Sequence, residues 1–140
     1  MADDTVEFEL VAPERLLMST PVSMVVVPGA EGDFGVLPGH APFISPVRTG
    51  VIDVYQDGAI DRRIFVSGGF AEVTPERCTV LADEAIALES ADRAGAQARL
   101  GRAQEALRDA DTDDQRRAAE AEIAVAEALL VAIDATRRGG

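Results

Sequence analysis

The 140-residue sequence has no lysine and no tryptophan, and it has a single cysteine and a single histidine. Without lysine there is no standard P-loop, because the lysine of that motif reaches the nucleotide phosphates. One cysteine and one histidine are too few for a zinc site. No serine lies in the G-x-S-x-G pattern of a nucleophile elbow. These absences predict a protein without catalytic residues of its own and without a bound metal.

The net charge and the single cysteine, Cys78, indicate which partners and which cellular compartment to expect. There are 25 acidic residues against 13 arginines, a net charge of −12, which argues against nucleic-acid binding. A single cysteine cannot form an intramolecular disulfide, which fits a reducing compartment. The first residues lack a signal-peptide pattern, and no apolar run approaches the roughly 20 residues of a transmembrane helix. We expect a soluble, cytoplasmic protein that does not insert directly into a membrane.

Composition changes near residue 88. All seven prolines and all six aromatic residues precede this point, and alanine is the commonest residue after it. Residues 1–88 carry 14 acids and 5 arginines, net −9, whereas residues 89–140 carry 11 acids and 8 arginines, net −3. The sequence therefore predicts two domains, 1–88 and 89–140.

The first part has the pattern of antiparallel β-structure. Val6, Phe8 and Leu10 alternate with polar residues, as in a half-buried strand. Asp57-Gly58 is a two-residue hairpin signal, and residues 67–69, Ser-Gly-Gly, predict a further turn. Strand signals at this spacing predict a sandwich or barrel.

The second part has the pattern of two helices. Apolar residues recur at 4-3-4-3 spacing: Ala96, Leu100, Ala103, Leu107 and Ala110 in the first helix, and Ala119, Ile123, Ala126, Leu130 and Ile133 in the second. Ser90 is the predicted N-cap of the first helix. Thr112 and Gln115 match a capping box at the start of the second, and Gly139 is the predicted end of that helix.

The short link between the helices predicts an antiparallel hairpin. The contact between the two helices is mostly alanine, which buries less apolar area than leucine. Each missing CH₂ lowers the stabilisation by about 0.8 kcal/mol. We therefore expect a weakly held hairpin that can act as a mobile arm.

The glycine-rich segment 29–35 predicts a tight loop, and we expect Glu31, Asp33 and His40 to lie together on one rigid, exposed loop. Loops held by a β-scaffold often carry binding function. The alternative is that His40 only hydrogen-bonds its own loop.

Segment 27–43, VPGAEGDFGVLPGHAPF, closely resembles the signature loop of the epsilon subunit of F-type ATP synthases. Further matches follow in order at 50–52 (GVI), 66–73 (VSGGFAEV) and 79–85 (TVLADEA). The resemblance covers essentially the whole chain, including the order of β-structure followed by two helices.

This resemblance implies a ten-stranded antiparallel β-sandwich followed by a two-helix antiparallel hairpin. It implies a non-catalytic central-stalk subunit of a proton-translocating synthase, peripheral on the cytoplasmic face of the bacterial inner membrane. The sandwich would bind the gamma subunit and the c-ring, and Asp33 and His40 occupy the positions that meet the c-ring.

In some family members the hairpin extends toward the catalytic alpha and beta subunits and inhibits ATP hydrolysis. The resemblance makes four arginines candidates for that contact: Arg93, Arg99, Arg102 and Arg108. The alternative is a solvated face whose arginines form local ion pairs, each worth about 0.3–0.5 kcal/mol.

Some members also bind ATP through an apolar-Asp-x-x-Arg-Ala motif at the start of the first helix. The corresponding stretch here is ESADRA, residues 89–94, in which Arg93 and Ala94 match but Ser90 replaces the aspartate. We therefore predict no cofactor, with a nucleotide contact through Arg93 and Ala94 as the alternative.

Two other classes stay open at this point. One is a stand-alone adaptor, in which the same architecture binds an unrelated acidic or helical partner. The other is a small hydrolase that uses His40.

Overall fold

The structure, a computed structural model, describes residues 4–138. The chain divides into two compact units, Met1–Glu89 and Ser90–Gly140. The first unit contains β-strands, and the second contains two α-helices.

Eight strands form one hydrogen-bonded sheet in the described part of the first unit. Their order across the sheet is β2-β1-β7-β6-β5-β3-β4, with β8 paired to β6. All pairs are antiparallel except β1 with β7, which is parallel. The strands are β1 (Val6–Ala12), β2 (Arg15–Val22), β3 (Met24–Gly29), β4 (Gly32–Val36), β5 (Phe43–Gln56), β6 (Ala59–Val73), β7 (Arg77–Ala82) and β8 (Ala85–Ala87).

The expectation of ten strands is wrong for residues 4–138, because β5 and β6 run uninterrupted over 14 and 15 residues. The turn expected at residues 67–69 is wrong for the same reason. Gly68 and Gly69 have φ of 95° and 126° but stay within β6. A Cβ on Gly69 would lie 2.0 Å from the carbonyl oxygen of Leu81, so this glycine lets β7 approach closely.

The alternation in β1 correctly identifies core residues, because Val6, Phe8 and Leu10 are fully buried or nearly so. Burying such a side chain stabilises the fold by about 1.5–3 kcal/mol. The hairpin at Asp57-Gly58 is also confirmed. Both residues have positive φ, 53° and 83°, as a type I′ turn between two strands requires.

The second unit contains α1 (Arg93–Arg108) and α2 (Asp113–Arg138). The prediction of Ser90 as the N-cap is wrong, because Ser90 lies in a short 3₁₀ turn over Leu88–Ser90. Asp92 takes the N-cap position instead, with extended backbone and no capping bond from its side chain. The predicted helix end at Gly139 lies outside the described residues.

The capping box at the start of α2 is confirmed. The Gln115 N–H donates to Thr112 Oγ1 at 3.0 Å, and the Thr112 N–H donates to Gln115 Oε1 at 3.3 Å. The Arg116 N–H then bonds to the Thr112 carbonyl oxygen at 3.0 Å, which is the first helical hydrogen bond. Two of the free amides at the helix start are satisfied in this way.

The predicted apolar positions of the two helices are mostly buried. In α1, Ala96, Leu100 and Ala103 are buried, while Ala110 lies beyond the end of the helix. In α2 the buried predicted positions are Ala119, Ala126, Leu130 and Ile133. Among residues 4–138, no helix combines the length and apolar character that a membrane-spanning helix needs.

Candidate functional site

The glycine-rich segment is a β-hairpin followed by a separate irregular segment, so the expectation of one loop carrying Glu31, Asp33 and His40 is wrong. A two-residue turn containing Glu31 joins β3 to β4, and Asp33 lies on β4. His40 lies in the irregular stretch that follows β4. A Cβ on Gly29 would lie 2.7 Å from the Gly32 carbonyl oxygen, which explains a glycine at the start of so tight a turn.

The side chain of Arg48, on β5, holds this hairpin at two points. Its Nη1 donates to the Gly29 carbonyl oxygen at 2.5 Å, and its Nη2 donates to Asp33 Oδ1 at 2.6 Å. The side chains of Arg48 and Asp33 are 45% and 61% exposed, so a partner can reach the pair. Arg48 could not be identified from the sequence, because its position beside Asp33 depends on the pairing of β3 with β5.

His40 makes the local bond that the sequence analysis left open. Its Nδ1 lies 2.7 Å from the Ala41 carbonyl oxygen. Because a carbonyl oxygen only accepts, Nδ1 carries the proton in this contact. The segment is also fastened to the turn before β7, where the Gly39 N–H donates to the Pro75 carbonyl oxygen at 2.8 Å.

A chain of aromatic contacts links His40 to the hairpin. The His40 ring centroid lies 6.3 Å from that of Phe43, and the Phe43 ring contacts Phe34 edge-on at 5.1 Å. Phe34 directly follows Asp33 on β4. Asp33 and His40 therefore flank one corner, where β3, β4 and the start of β5 meet, but consecutive strand residues project from opposite faces, so the aromatic chain and the Asp33 side chain lie on different faces of β4. This corner offers a carboxylate, a guanidinium and an imidazole, which suit polar recognition.

A second surface consists of apolar side chains, all exposed except the half-buried Val11, that cross five strands. We call it the apolar row: Pro46, Phe70, Leu81, Val11 and Leu16 are neighbours in register on β5, β6, β7, β1 and β2. Directly paired residues project from the same face of a sheet. Phe70, Leu81 and Leu16 are 58%, 55% and 60% exposed. A contiguous exposed apolar surface of this kind marks an interaction site.

Two of the four candidate arginines of the hairpin already pair across it. Arg93 Nε lies 2.8 Å from Asp134 Oδ1, and Arg99 Nε lies 2.5 Å from Glu122 Oε1. The hydrogen bond that Arg93 donates to the Asp134 carboxylate, reinforced by the charge of that carboxylate, raises the pKa of Arg93. By contrast, Arg102 and Arg108 are exposed and have no ion-pair partner within residues 4–138.

The two matching residues of the candidate nucleotide motif, Arg93 and Ala94, lie outside the cavity described in the hairpin. The hairpin has an open cavity of about 770 Å³ near the α1–α2 connection, lined by Arg99, Arg102 and Glu122 among others, but neither Arg93 nor Ala94 lines it. Among residues 4–138, no group of three or more His, Cys, Asp or Glu side chains is placed to hold a metal ion.

The buried Cys78 and the half-buried Asp53 have raised pKa values. Burial raises the pKa of the Cys78 thiol to about 12, so this side chain is a core residue without thiolate character. Burial also raises the pKa of Asp53, and the nearby Asp33 carboxylate adds to this, while Arg63 opposes it. Asp53 Oδ1 is buried and has no hydrogen-bond partner among the described residues, and it lies 3.4 Å from Arg63 Nε.

The class of protein follows from similarity to known proteins. Residues 5–88 match the family model described as the ATP synthase, Delta/Epsilon chain, beta-sandwich domain. A chain in the cryo-EM structure of the Euglena gracilis mitochondrial ATP synthase, OSCP/F1/c-ring, is similar with a TM-score of 0.77 and 25% identity, covering 93% of this chain and 82% of that one. A chain of the Tetrahymena thermophila mitochondrial ATP synthase central stalk/c-ring shares the fold, with a TM-score of 0.60, 12% identity and coverage of 91% and 96%.

The curated relatives identify which ATP synthase chain this protein resembles. The ATP synthase epsilon chain of Rhodospirillum rubrum is 57% identical over 129 residues, covering 92% of this chain and 96% of the relative. That of Rhodospirillum centenum is 54% identical over 132 residues, covering 91% and 90%. The chain belongs to the ATP synthase epsilon-chain family.

Proposed function

We propose that this chain is a non-catalytic central-stalk subunit that couples the gamma shaft to the c-ring of a proton-translocating ATP synthase. It would sit peripherally, on the cytoplasmic face of the bacterial inner membrane. Relatives that share more than half of its residues are named ATP synthase epsilon chains. The similar solved chains come from assemblies whose titles name the c-ring.

The main support for this proposal is the apolar row, because a bound partner would remove its exposed apolar side chains from water. Each of Phe70, Leu81 and Leu16 is more than half exposed, so burying the remainder would contribute about 1 kcal/mol each. Central apolar side chains surrounded by polar ones are the usual anatomy of a stable interface. We assign the row to the gamma subunit.

We assign the corner that holds Asp33 and His40 to the c-ring. The two surfaces adjoin, because Pro46 of the apolar row and Arg48 of the corner lie two residues apart on β5 and are both exposed. A subunit with two adjoining surfaces can bind both partners at once. This is what a coupling element between the shaft and the ring must do.

The helical unit serves in this proposal as a regulatory arm that restrains ATP hydrolysis. Of the four candidate arginines, Arg102 and Arg108 can approach acidic surfaces of the alpha and beta subunits without breaking an ion pair described within residues 4–138. Arg93 and Arg99 would first have to leave Asp134 and Glu122. The arm needs no nucleotide in this account, since Arg93 and Ala94 lie outside the hairpin cavity.

The gamma assignment is tested by binding to the soluble F1 sector depleted of this subunit. Leu81→Ser and Phe70→Ser should each weaken binding of the full chain about fivefold, because each removes about 1 kcal/mol of apolar burial. Val131 on α2 is 67% exposed and provides the matched control, so Val131→Ser should bind like the original chain. If both Leu81→Ser and Phe70→Ser bind as tightly as the original chain, the assignment of the apolar row to the gamma subunit is overturned.

A further inference from the structure

Arg48 occupies a central place at the corner that is assigned above to the c-ring. Its guanidinium bonds to the backbone at Gly29, the last residue of β3, and to the side chain of Asp33 on β4. We propose that Arg48 is a positioning residue for the c-ring contact, and that the surface presented to the ring is a preformed Arg48–Asp33 pair rather than a free carboxylate. This inference rests on the proposed function.

The backbone already brings the hairpin close to β5. The Ala30 N–H donates to the Pro46 carbonyl oxygen at 2.9 Å, and a Cβ on Gly50 would lie 2.9 Å from Pro28 Cβ. These contacts fix the base of the hairpin, but they do not fix the direction of the Asp33 carboxylate. The bond from Arg48 does this, because one planar guanidinium is bonded to two acceptors at once.

The pair leaves hydrogen-bonding groups free for a partner. A guanidinium has five N–H donors, and Arg48 has one bond from each of Nη1 and Nη2 to Gly29 and Asp33. The second carboxylate oxygen of Asp33 can still accept. Donors and acceptors therefore lie side by side, an arrangement that fits the backbone and polar side chains of a turn on the partner.

The pair also changes the electrostatics of the contact. The first 88 residues have a net charge of −9, so an unpaired Asp33 would add to an already negative surface. Arg48 neutralises that charge locally. Long-range attraction should then contribute little, and the affinity for the ring should change little with salt over the range in which exposed charges become screened.

The test compares binding of full-length variants to the complete synthase depleted of this subunit and to depleted F1, which lacks the c-ring. Arg48→Gln and Asp33→Asn should each weaken binding to the complete synthase about tenfold, because a charge-assisted hydrogen bond is lost in each, and should leave binding to F1 unchanged. The double variant should be no weaker than either single variant, since the two residues act as one unit.

Arg48→Lys separates positioning from charge. It keeps the positive charge but lacks the planar fork, so we expect it to bind as weakly as Arg48→Gln. Arg116 provides the matched control: it pairs with Asp113 at 2.8 Å and is 47% exposed, and Arg116→Gln should bind normally. Thermal unfolding checks that all variants fold alike, as expected for an exposed pair.

Three results would overturn parts of the account in distinguishable ways. If Arg48→Gln binds the complete synthase normally while Asp33→Asn binds it weakly, Arg48 has no positioning role, and the proposed function still stands. Full rescue by Arg48→Lys replaces positioning with simple charge and also overturns the inference. Failure of the original chain to bind depleted F1 overturns the proposed function itself.

Discussion

Arg93 at the start of α1 donates two hydrogen bonds to Asp134 near the end of α2, from Nε to Oδ1 at 2.8 Å and from Nη2 to Oδ2 at 3.3 Å. This bidentate pair fastens the two helices at the end of the hairpin where α1 begins. It also occupies the arginine that a nucleotide site at the start of α1 would use. Of the four candidate arginines, Arg102 and Arg108, further along α1, have no ion-pair partner within residues 4–138.

The first prediction concerns those arginines. Replacing Arg102 and Arg108 together by alanine should raise ATP hydrolysis by the reconstituted synthase about three- to tenfold, because two exposed charge contacts are lost. The measurement is the hydrolysis rate of a depleted synthase saturated with each variant. Arg117→Ala, which removes an exposed arginine of α2 paired locally with Asp114, is the control. Equal rates for the double variant and the control would remove the inhibitory role of these two residues.

The second prediction concerns the capping box. Thr112→Ala should destabilise the helical unit by about 1 kcal/mol, because the Gln115 amide loses its acceptor. Thr112→Ser keeps the hydroxyl and should unfold like the original chain. Urea denaturation followed by far-ultraviolet circular dichroism measures both. Equal losses for the two variants would show that the methyl group, rather than the cap, matters here.

The third prediction concerns the glycine pair within β6. Gly69→Ala should cost about 3 kcal/mol or more, since its Cβ would clash with the Leu81 carbonyl oxygen at a φ of 126°. Gly58 also has positive φ but nothing within 4 Å of a Cβ, so Gly58→Ala should cost only about 1–2 kcal/mol. Chemical denaturation of both variants tests the difference. A cost at Gly69 no larger than at Gly58 would contradict the close approach of β7.

The fourth prediction is a pH dependence at Asp53, whose pKa is raised from 3.8 chiefly by burial. The folded state therefore holds this proton more tightly than the unfolded state. The stabilisation is complete below the ordinary pKa and is lost as the pH rises through the folded-state pKa. Asp53→Asn, which stays neutral, should accordingly be more stable than the original chain at pH 7, by less than about 1 kcal/mol, and lose this advantage near pH 3.

Unfolding free energies at the two pH values test the prediction for Asp53. Asp61→Asn, an exposed position on the neighbouring strand, provides the control. An Asp53→Asn variant that is less stable than the original chain at pH 7, with a deficit that shrinks toward pH 3, would mean that the Arg63 ion pair outweighs burial.

Sequence patterns predicted several features that depend on residues close together in the sequence. The capping box at Thr112 and the turn at Asp57-Gly58 depend on residues within a few positions of each other, and both are confirmed. The alternation in β1 also succeeded, because one face of that strand is buried. The helical spacing likewise identified most of the buried positions of the two helices.

Other features depend on contacts between residues that are distant in sequence, and these were missed or predicted wrongly. Ser67-Gly68-Gly69 has the composition of a turn, but Gly69 instead lets the backbone of β7 approach closely, and that strand lies outside the short stretch of sequence from which a turn is predicted. The apolar row could not be recognised without the register that places Phe70 beside Leu81. Arg48 was missed because only the pairing of β3 with β5 brings it to Asp33.

The central claim is that this chain couples gamma to the c-ring, and ATP-driven proton pumping tests it most directly. Membrane vesicles containing a synthase depleted of this subunit would be assayed with and without the full chain. The account predicts that the chain restores pumping per ATP hydrolysed, and that a variant combining Leu81→Ser with Asp33→Asn restores it poorly at the same concentration. Pumping that is unchanged by addition of the full chain would contradict the account.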